Sequence, residues 1–141
     1  MTVTFFGHKD TPKNIEPTLR ATLVDLIENH GADVFYVGNN GAFDTMVRRQ
    51  LEALSQTYPI TYCVVLAYLP TKKIEYDDYA NTILPEGIET APKRFAISWR
   101  NKWMIQQAVI VVTYVTHSFG GAAQFKALAQ RQGKTVIELS G

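Results

Sequence analysis

Three short segments hold most of the residues that could do chemistry in this chain. The first is Ser118-Phe-Gly-Gly-Ala122, which follows the apolar run Val109–Val112 and opens a stretch with helical spacing. Paired glycines ahead of a helix let backbone N–H groups approach an anion, and the positive end of the helix dipole favours it. That is phosphate-binding chemistry, with Gly120, Gly121 and Ala122 as donors and Ser118 and His117 beside them. It is not a P-loop, because neither GxxxxGK[ST] nor GxGxxG occurs, and a plain loop-to-helix turn would use the same residues. The second segment, Gly38-Asn39-Asn40-Gly41-Ala-Phe-Asp44, tolerates left-handed backbone and exposes donors. Asp44 could cap the following helix as in an ordinary turn, or face a sugar hydroxyl. The third, Gly7-His8-Lys9-Asp10, gathers an imidazole, an ammonium and a carboxylate. His8 could act as a general base or hold a neighbouring loop by a hydrogen bond.

Other candidates carry weaker signals. Arg94, Arg100 and Lys102 read either as a solvated basic face or, for Arg100, as an anion contact. Trp99 and Trp103, at i and i+4, suit a core or an interface better than a base-stacking platform. His30 closes a helix, where the dipole favours it. The single cysteine, Cys63, lies in an apolar run with nothing beside it to activate a thiolate, so neither a disulfide nor Cys-based zinc binding is expected. No metal site is expected.

The elements that must position these groups follow from pattern. Thr2–Phe6, Asp33–Val37, Ile60–Tyr68, Val109–Val112 and Thr135–Leu139 read as strands. Between them, Leu19, Leu23 and Leu26 recur at helical spacing after Asn14 as N-cap. Phe43, Met46, Val47, Leu51 and Leu54 do the same, as do Phe95, Trp99 and Trp103, and then Gly120–Gln132. Strands alternating with helices predict one α/β domain of three layers over residues 1–141, with a mostly parallel five-stranded sheet in the order 3-2-1-4-5. In such a sheet ligands sit beyond the carboxyl ends of the strands where the order reverses, here between strands one and four. The exception to the rhythm is 70–92, a long loop insertion with one helical turn expected around Asp77–Asn81; five acids fall between Glu75 and Glu89 with no base among them. A loop of this length suits a lid.

Composition narrows the classes. The chain has 141 residues, 46% of them hydrophobic, enough for one well-buried core. No apolar stretch is long enough for a membrane helix and the N-terminus lacks a signal-peptide pattern, so a cytoplasmic protein is expected. Net charge is +1, which argues against nucleic acid as a partner. The distribution is uneven: residues 1–89 carry seven basic and twelve acidic side chains, whereas 90–141 carry seven basic ones and a single acid, Glu138.

Taken together, Phe6-Gly-His-Lys-Asp10, Gly38-Asn-Asn-Gly-Ala-Phe-Asp44, Arg94-Phe-Ala, Arg100-Asn-Lys-Trp-Met104 and Gly120-Gly-Ala122 occur in an order that resembles the SLOG superfamily. This is the Rossmann-like group that contains the DprA/SMF and LOG proteins, and the resemblance is nearest to its YpsA-like branch. It implies a Rossmann-like fold, a nucleotide or nucleotide-derived ligand, and dimers or higher oligomers. LOG enzymes cleave the N-glycosidic bond of nucleoside monophosphates with an arginine and a PGGxGTxxE loop. Here Arg100 matches the arginine, while the loop departs at Ala123, Gln124 and Ala127, the last falling where the glutamate belongs. Glycosidic cleavage passes through an oxocarbenium-like state that needs a carboxylate or an activated water.

The leading expectation is therefore a binding or sensing module for a nucleoside phosphate or an ADP-ribose-type ligand, with no cofactor beyond a bound nucleotide. Gly120–Ala122 would hold phosphate, Ser118 and Arg100 would assist, Gly38–Gly41 would shape the wall, and Asp44 or Asn40 would meet a ribose hydroxyl. One alternative is an N-ribosidic hydrolase whose catalytic candidates are Arg100, Asp10 and Asp44. Another is a scaffold that forms homo-oligomers through the Trp99/Trp103 helix.

Overall fold

The computed structural model describes residues 1–68 and 81–141. Its elements in chain order are β1 (Thr2–Gly7), α1 (Glu16–His30), β2 (Val34–Val37), α2 (Ala42–Ser55), β3 (Thr61–Val65), β4 (Thr82–Ile83), α3 (Ala96–Gln107), β5 (Ile110–Tyr114), α4 (Gly121–Arg131) and β6 (Thr135–Glu138). The strands form one sheet in the order β4-β3-β2-β1-β5-β6, with every pair parallel. This is a three-layer, Rossmann-like α/β architecture. The chain builds outward from β1 through β4, then returns to β1's other edge as β5. The order therefore reverses between β1 and β5.

Alternation along β1 explains the layers. Val3 and Phe5 face one side and pack with Leu19, Leu23 and Leu26 of α1 and with Phe43, Val47 and Leu51 of α2. Phe6 faces the other side, in a cluster with Val111, Met104 and Ile105 of α3, and Phe125 and Ala129 of α4. A strand covered on both faces buries nearly every residue, as Val3 to Phe6 do. Thr4 is the polar member of this run, and its hydroxyl donates to the Tyr36 carbonyl at 2.8 Å. Among the described residues no helix is long and apolar enough to cross a membrane.

The sheet differs from the expected one in strand count. A sixth strand, β4, extends it beyond β3, where Val64 N–H donates to the Asn81 carbonyl at 2.7 Å and Leu66 N–H to Ile83 at 2.9 Å. Two residues carry no readable period; β3's open edge supplies the reason for the strand. The third strand is shorter than Ile60–Tyr68, and β5 runs on to Tyr114 because Gly7 pairs with it. Asn14 does not cap α1: it lies in a 3-10 turn over Lys13–Ile15, and Ile15 takes the N-cap position. Residues 70–80 of the acidic loop, most of the expected turn at Asp77–Asn81 included, lie outside the described residues. The described remainder contains β4 and a 3-10 turn at Ile88–Thr90 whose Ile88 is buried with Ala67, Ala96 and partly buried Trp99.

Glu138, the sole acid after Glu89, ties the C-terminal ends of β5 and β6 to the middle of α4. Its carboxylate accepts from Thr113 Oγ1 at 2.7 Å, Val115 N–H at 2.9 Å, Ser140 Oγ at 2.7 Å and Lys126 Nζ at 2.8 Å. Burial alone would raise the Glu138 carboxyl. The hydrogen bonds from Lys126, Thr113, Val115 and Ser140 outweigh it and hold it at about 2, against an ordinary 4.5. A folded-state value below the unfolded one stabilises above the unfolded value and is lost as pH falls through the folded one. Glu138→Gln is therefore expected to lower the unfolding free energy by about 1–2 kcal/mol at pH 7, after discounting for solvent screening. The deficit should shrink between about pH 4.5 and 2, as measured by urea unfolding across that range.

Candidate functional site

A cleft of about 510 Å³ opens beyond the carboxyl ends of β1 and β5, at the point where the strand order reverses. It is lined by Gly7, His8 and Asp10 after β1, Asn40 and Asp44 after β2, Arg100 on α3, and His117, Gly120, Gly121 and Ala122 at the start of α4. Gly38, Asn39, Gly41 and Ser118 lie behind or beside this wall rather than in it.

Arg100 is the organising residue. It projects from α3 and is 2% exposed, so it is not part of a solvated basic face. Nε donates to Asn101 Oδ1, Nη1 to Asn39 Oδ1, and Nη2 to Asn40 Oδ1, each at 2.9 Å, and Nη1 also reaches the Val65 carbonyl at 3.0 Å. Four of its five N–H donors are thus engaged among the described residues. Burial lowers the Arg100 pKa, and Asp44 and Tyr68 act in the opposite sense. The turn after β2 passes so close that a Cβ on Gly38 would sit 2.8 Å from Asp44 Oδ2 and 3.1 Å from Arg100 Cζ. Any larger residue there would have to displace Asp44 or Arg100.

Asp44, in the first turn of α2, accepts Asn40 N–H at 3.0 Å. Burial among its neighbours pushes its carboxyl up to about 6, although the Asn40 N–H and the Arg100 charge pull it down. It is therefore a carboxyl that exchanges its proton near neutrality, in the wall of the cleft. Gly41 begins α2 with Lys9 packed directly against it, and Lys9 carbonyl accepts Ala42 N–H at 2.8 Å. This contact joins the segment after β1 to the one after β2.

The opposite wall is built on rings. His8 is buried, and its Nε2 accepts Thr116 N–H at 2.9 Å, so the β1 segment is bonded to the β5 loop. Its pKa is lowered by burial and by His117, with Asp10 and Glu138 acting the other way. His117 stacks on His8 with centroids 3.8 Å apart at 13°. Beyond it Gly120, at φ 92°, turns the chain into α4 in a conformation other residues rarely adopt. The N-cap position is Gly120, which makes no side-chain cap bond to α4, and Gly120, Gly121 and Ala122 line the cleft.

Several lining residues carried no strong signal in the sequence. Ser98 and Asn101 share the α3 wall with Arg100, and Gln124 stands one turn into α4. The available clue was polarity at core-facing helical positions: Arg100 and Asn101 are buried alongside Ala96, Met104 and Ile105. Arg94 reaches the cleft from a 3-10 turn ahead of α3 while its guanidinium lies 4.8 Å over the Phe95 ring. Lys102 is exposed. Trp103 packs on Tyr36 at 5.2 Å. His30 is exposed at the end of α1 beside Asp25, and burial raises the Cys63 thiol. Among the described residues no group of three or more His, Cys, Asp or Glu is placed to hold a metal ion.

No family model and no curated protein matches the chain. Among solved structures it is similar to DNA processing protein A (DprA) from Streptococcus pneumoniae, with a TM-score of 0.71 and 15% identity over 97% of this chain and 49% of that one. It is also similar to DNA processing protein A from Helicobacter pylori, studied for its single-stranded DNA binding mode, with a TM-score of 0.68 and 17% identity over 98% of this chain and 64% of that one. The chain thus spans about half to two thirds of these neighbours. The relation to DprA implied by the motifs holds at the level of fold. The exclusion of nucleic acid on the ground of net charge is overturned, because a protein of this fold binds single-stranded DNA. The physical reason is that strand binding depends on local groove charge and stacking, which a whole-chain sum does not report.

Arg100→Met should destabilise the protein by about 3–5 kcal/mol, since it removes the donors to the Val65 carbonyl and to the three asparagine side chains of Asn39, Asn40 and Asn101. Arg100→Lys should recover little of this, having one ammonium for a planar fork. Chemical denaturation of the three proteins checks both.

Proposed function

We propose that this domain binds a nucleotide unit in the cleft, its phosphate against the N-terminus of α4 at Gly120–Ala122. The observation that carries the reading is the convergence of an uncapped helix N-terminus and the buried Arg100 guanidinium on one cleft at the switch point of a parallel sheet. The same chemistry has two sources, a free nucleotide or one residue of a DNA strand. Likeness to the Helicobacter pylori protein supports the second. Lys9 and Arg94 at the cleft suit either.

Arg100→Ala is a poor probe, because it would unpin the wall. Gly121→Glu is better: a Cβ there meets nothing within 4 Å, and a carboxylate in the first helical turn suits the dipole. It should leave the melting temperature unchanged or slightly raised and weaken nucleotide binding at least about ten-fold by charge repulsion. Calorimetry with mononucleotides and anisotropy with a short single-stranded oligonucleotide, the latter at several salt concentrations, separate the two sources. A steep salt dependence for the oligonucleotide marks a strand binder. Binding of neither by the wild-type protein would reject the reading.

Asp44 supports a second, hydrolytic reading, since a carboxyl near 6 can donate or accept a proton at neutral pH. Release of free base from a nucleoside monophosphate should then fall about a hundred-fold or more in Asp44→Asn while ligand binding persists. Absence of free base with the wild-type protein removes this reading. Because the Asp44 carboxyl titrates higher in the folded than in the unfolded chain, its contribution makes the protein more stable as pH falls from about 6 towards 3.8. Asp44→Asn should abolish that rise, which thermal melts between pH 7 and 4 would register.

A further inference from the structure

We propose that the outer face of Phe119 is the seat for a nucleobase, the base of the unit whose phosphate meets α4. The inference rests on the nucleotide reading and adds where the base goes. Phe119 is 70% exposed, the highest exposure among the large hydrophobic side chains of the described residues. Exposure alone says little, since single surface hydrophobics are common. What distinguishes this ring is how it is held. Its inner face stacks on His117 with centroids 3.9 Å apart at 20°, and His117 stacks in turn on buried His8. His117 Nδ1 lies 2.9 Å from the Phe119 carbonyl, which ties ring and backbone together, and Thr116 N–H fixes His8. Three nearly parallel rings thus form a column anchored in the fold, with one flat face left uncovered at its outer end.

A flat, preoriented apolar face selects for flat π-systems, and its ordering cost is already met before any ligand arrives. Stacking of this kind tolerates any base, because every base presents a π-face. The position suits a nucleotide: Phe119 stacks on His117 and directly precedes Gly120, both of which line the cleft, at the α4 N-terminus. The other exposed or tryptophan rings are less free. Trp103 is turned to Tyr36, Trp99 packs with Ile88, and Phe95 carries the Arg94 guanidinium over its face.

The test compares ligands with and without a base. Wild type, Phe119→Ala and Phe119→Trp are titrated with a nucleoside monophosphate and with ribose 5-phosphate, and with a short single-stranded oligonucleotide and its abasic counterpart. Phe119→Ala should weaken the base-bearing ligands about ten-fold, leave the base-free ligands unchanged, and retain the wild-type melting temperature; Phe119→Trp should bind at least as well as wild type. Equal effects on base-bearing and base-free ligands, or no effect on either, would overturn the seat while the phosphate reading stands. Failure of the wild-type protein to bind any of the four would overturn both.

Discussion

A guanidinium taken out of water must find a partner for each N–H it can, and at Arg100 that requirement dictates the shape of the surrounding chain. It cannot shed its charge at any ordinary pH. Its partners come from three places far apart in sequence: the turn after β2 at Asn39 and Asn40, the end of β3 at Val65, and α3 itself at Asn101. Satisfying all of them brings the β2–α2 turn onto α3, and a side chain at Gly38 would crowd Arg100 and Asp44, against which the turn runs. The raised carboxyl of Asp44 follows from the same crowding. Most of one wall of the cleft is thus a consequence of burying one cation well.

The other wall depends on a carboxylate. Glu138 gathers the ends of β5 and β6 and the middle of α4, and the Val115 N–H that it accepts lies next to the Thr116 N–H that is given to His8. The loop carrying His117, Phe119 and Gly120 is therefore fastened at its base while its tip stays open. A rigid base with an open tip suits recognition better than a floppy loop, since less freedom is lost on binding. The uneven charge of the chain also acquires a location. The half rich in basic residues supplies Arg94, Arg100 and the α4 N-terminus to the cleft, and the acidic half supplies Asp10 and Asp44.

Much of this was legible in residue order. Helical spacing of Leu19, Leu23 and Leu26 and the β-branched runs at Thr2 and Val109 located the main helices and five strands, because burying one face imposes its period on the sequence. Glycines after strands marked both cleft loops. The edge strand Thr82–Ile83 was not legible, because two residues have no period and their pairing is a property of β3's open edge. Nor was the depth of Arg100: at the level of residue type an arginine on a helix reads as surface.

By itself, then, the sequence determined the alternation of strands and helices, the placement of glycine-bearing turns at strand ends, and the polarisation of charge along the chain. These are local or periodic properties, set by which side chains avoid water and which backbones can turn. Only the tertiary structure decided that Arg100 is a buried pin, that burial raises the Asp44 carboxyl, and that His8, His117 and Phe119 stack into one column. Each depends on groups distant in sequence sharing a small volume, where desolvation and contact geometry, rather than residue identity, set the energies.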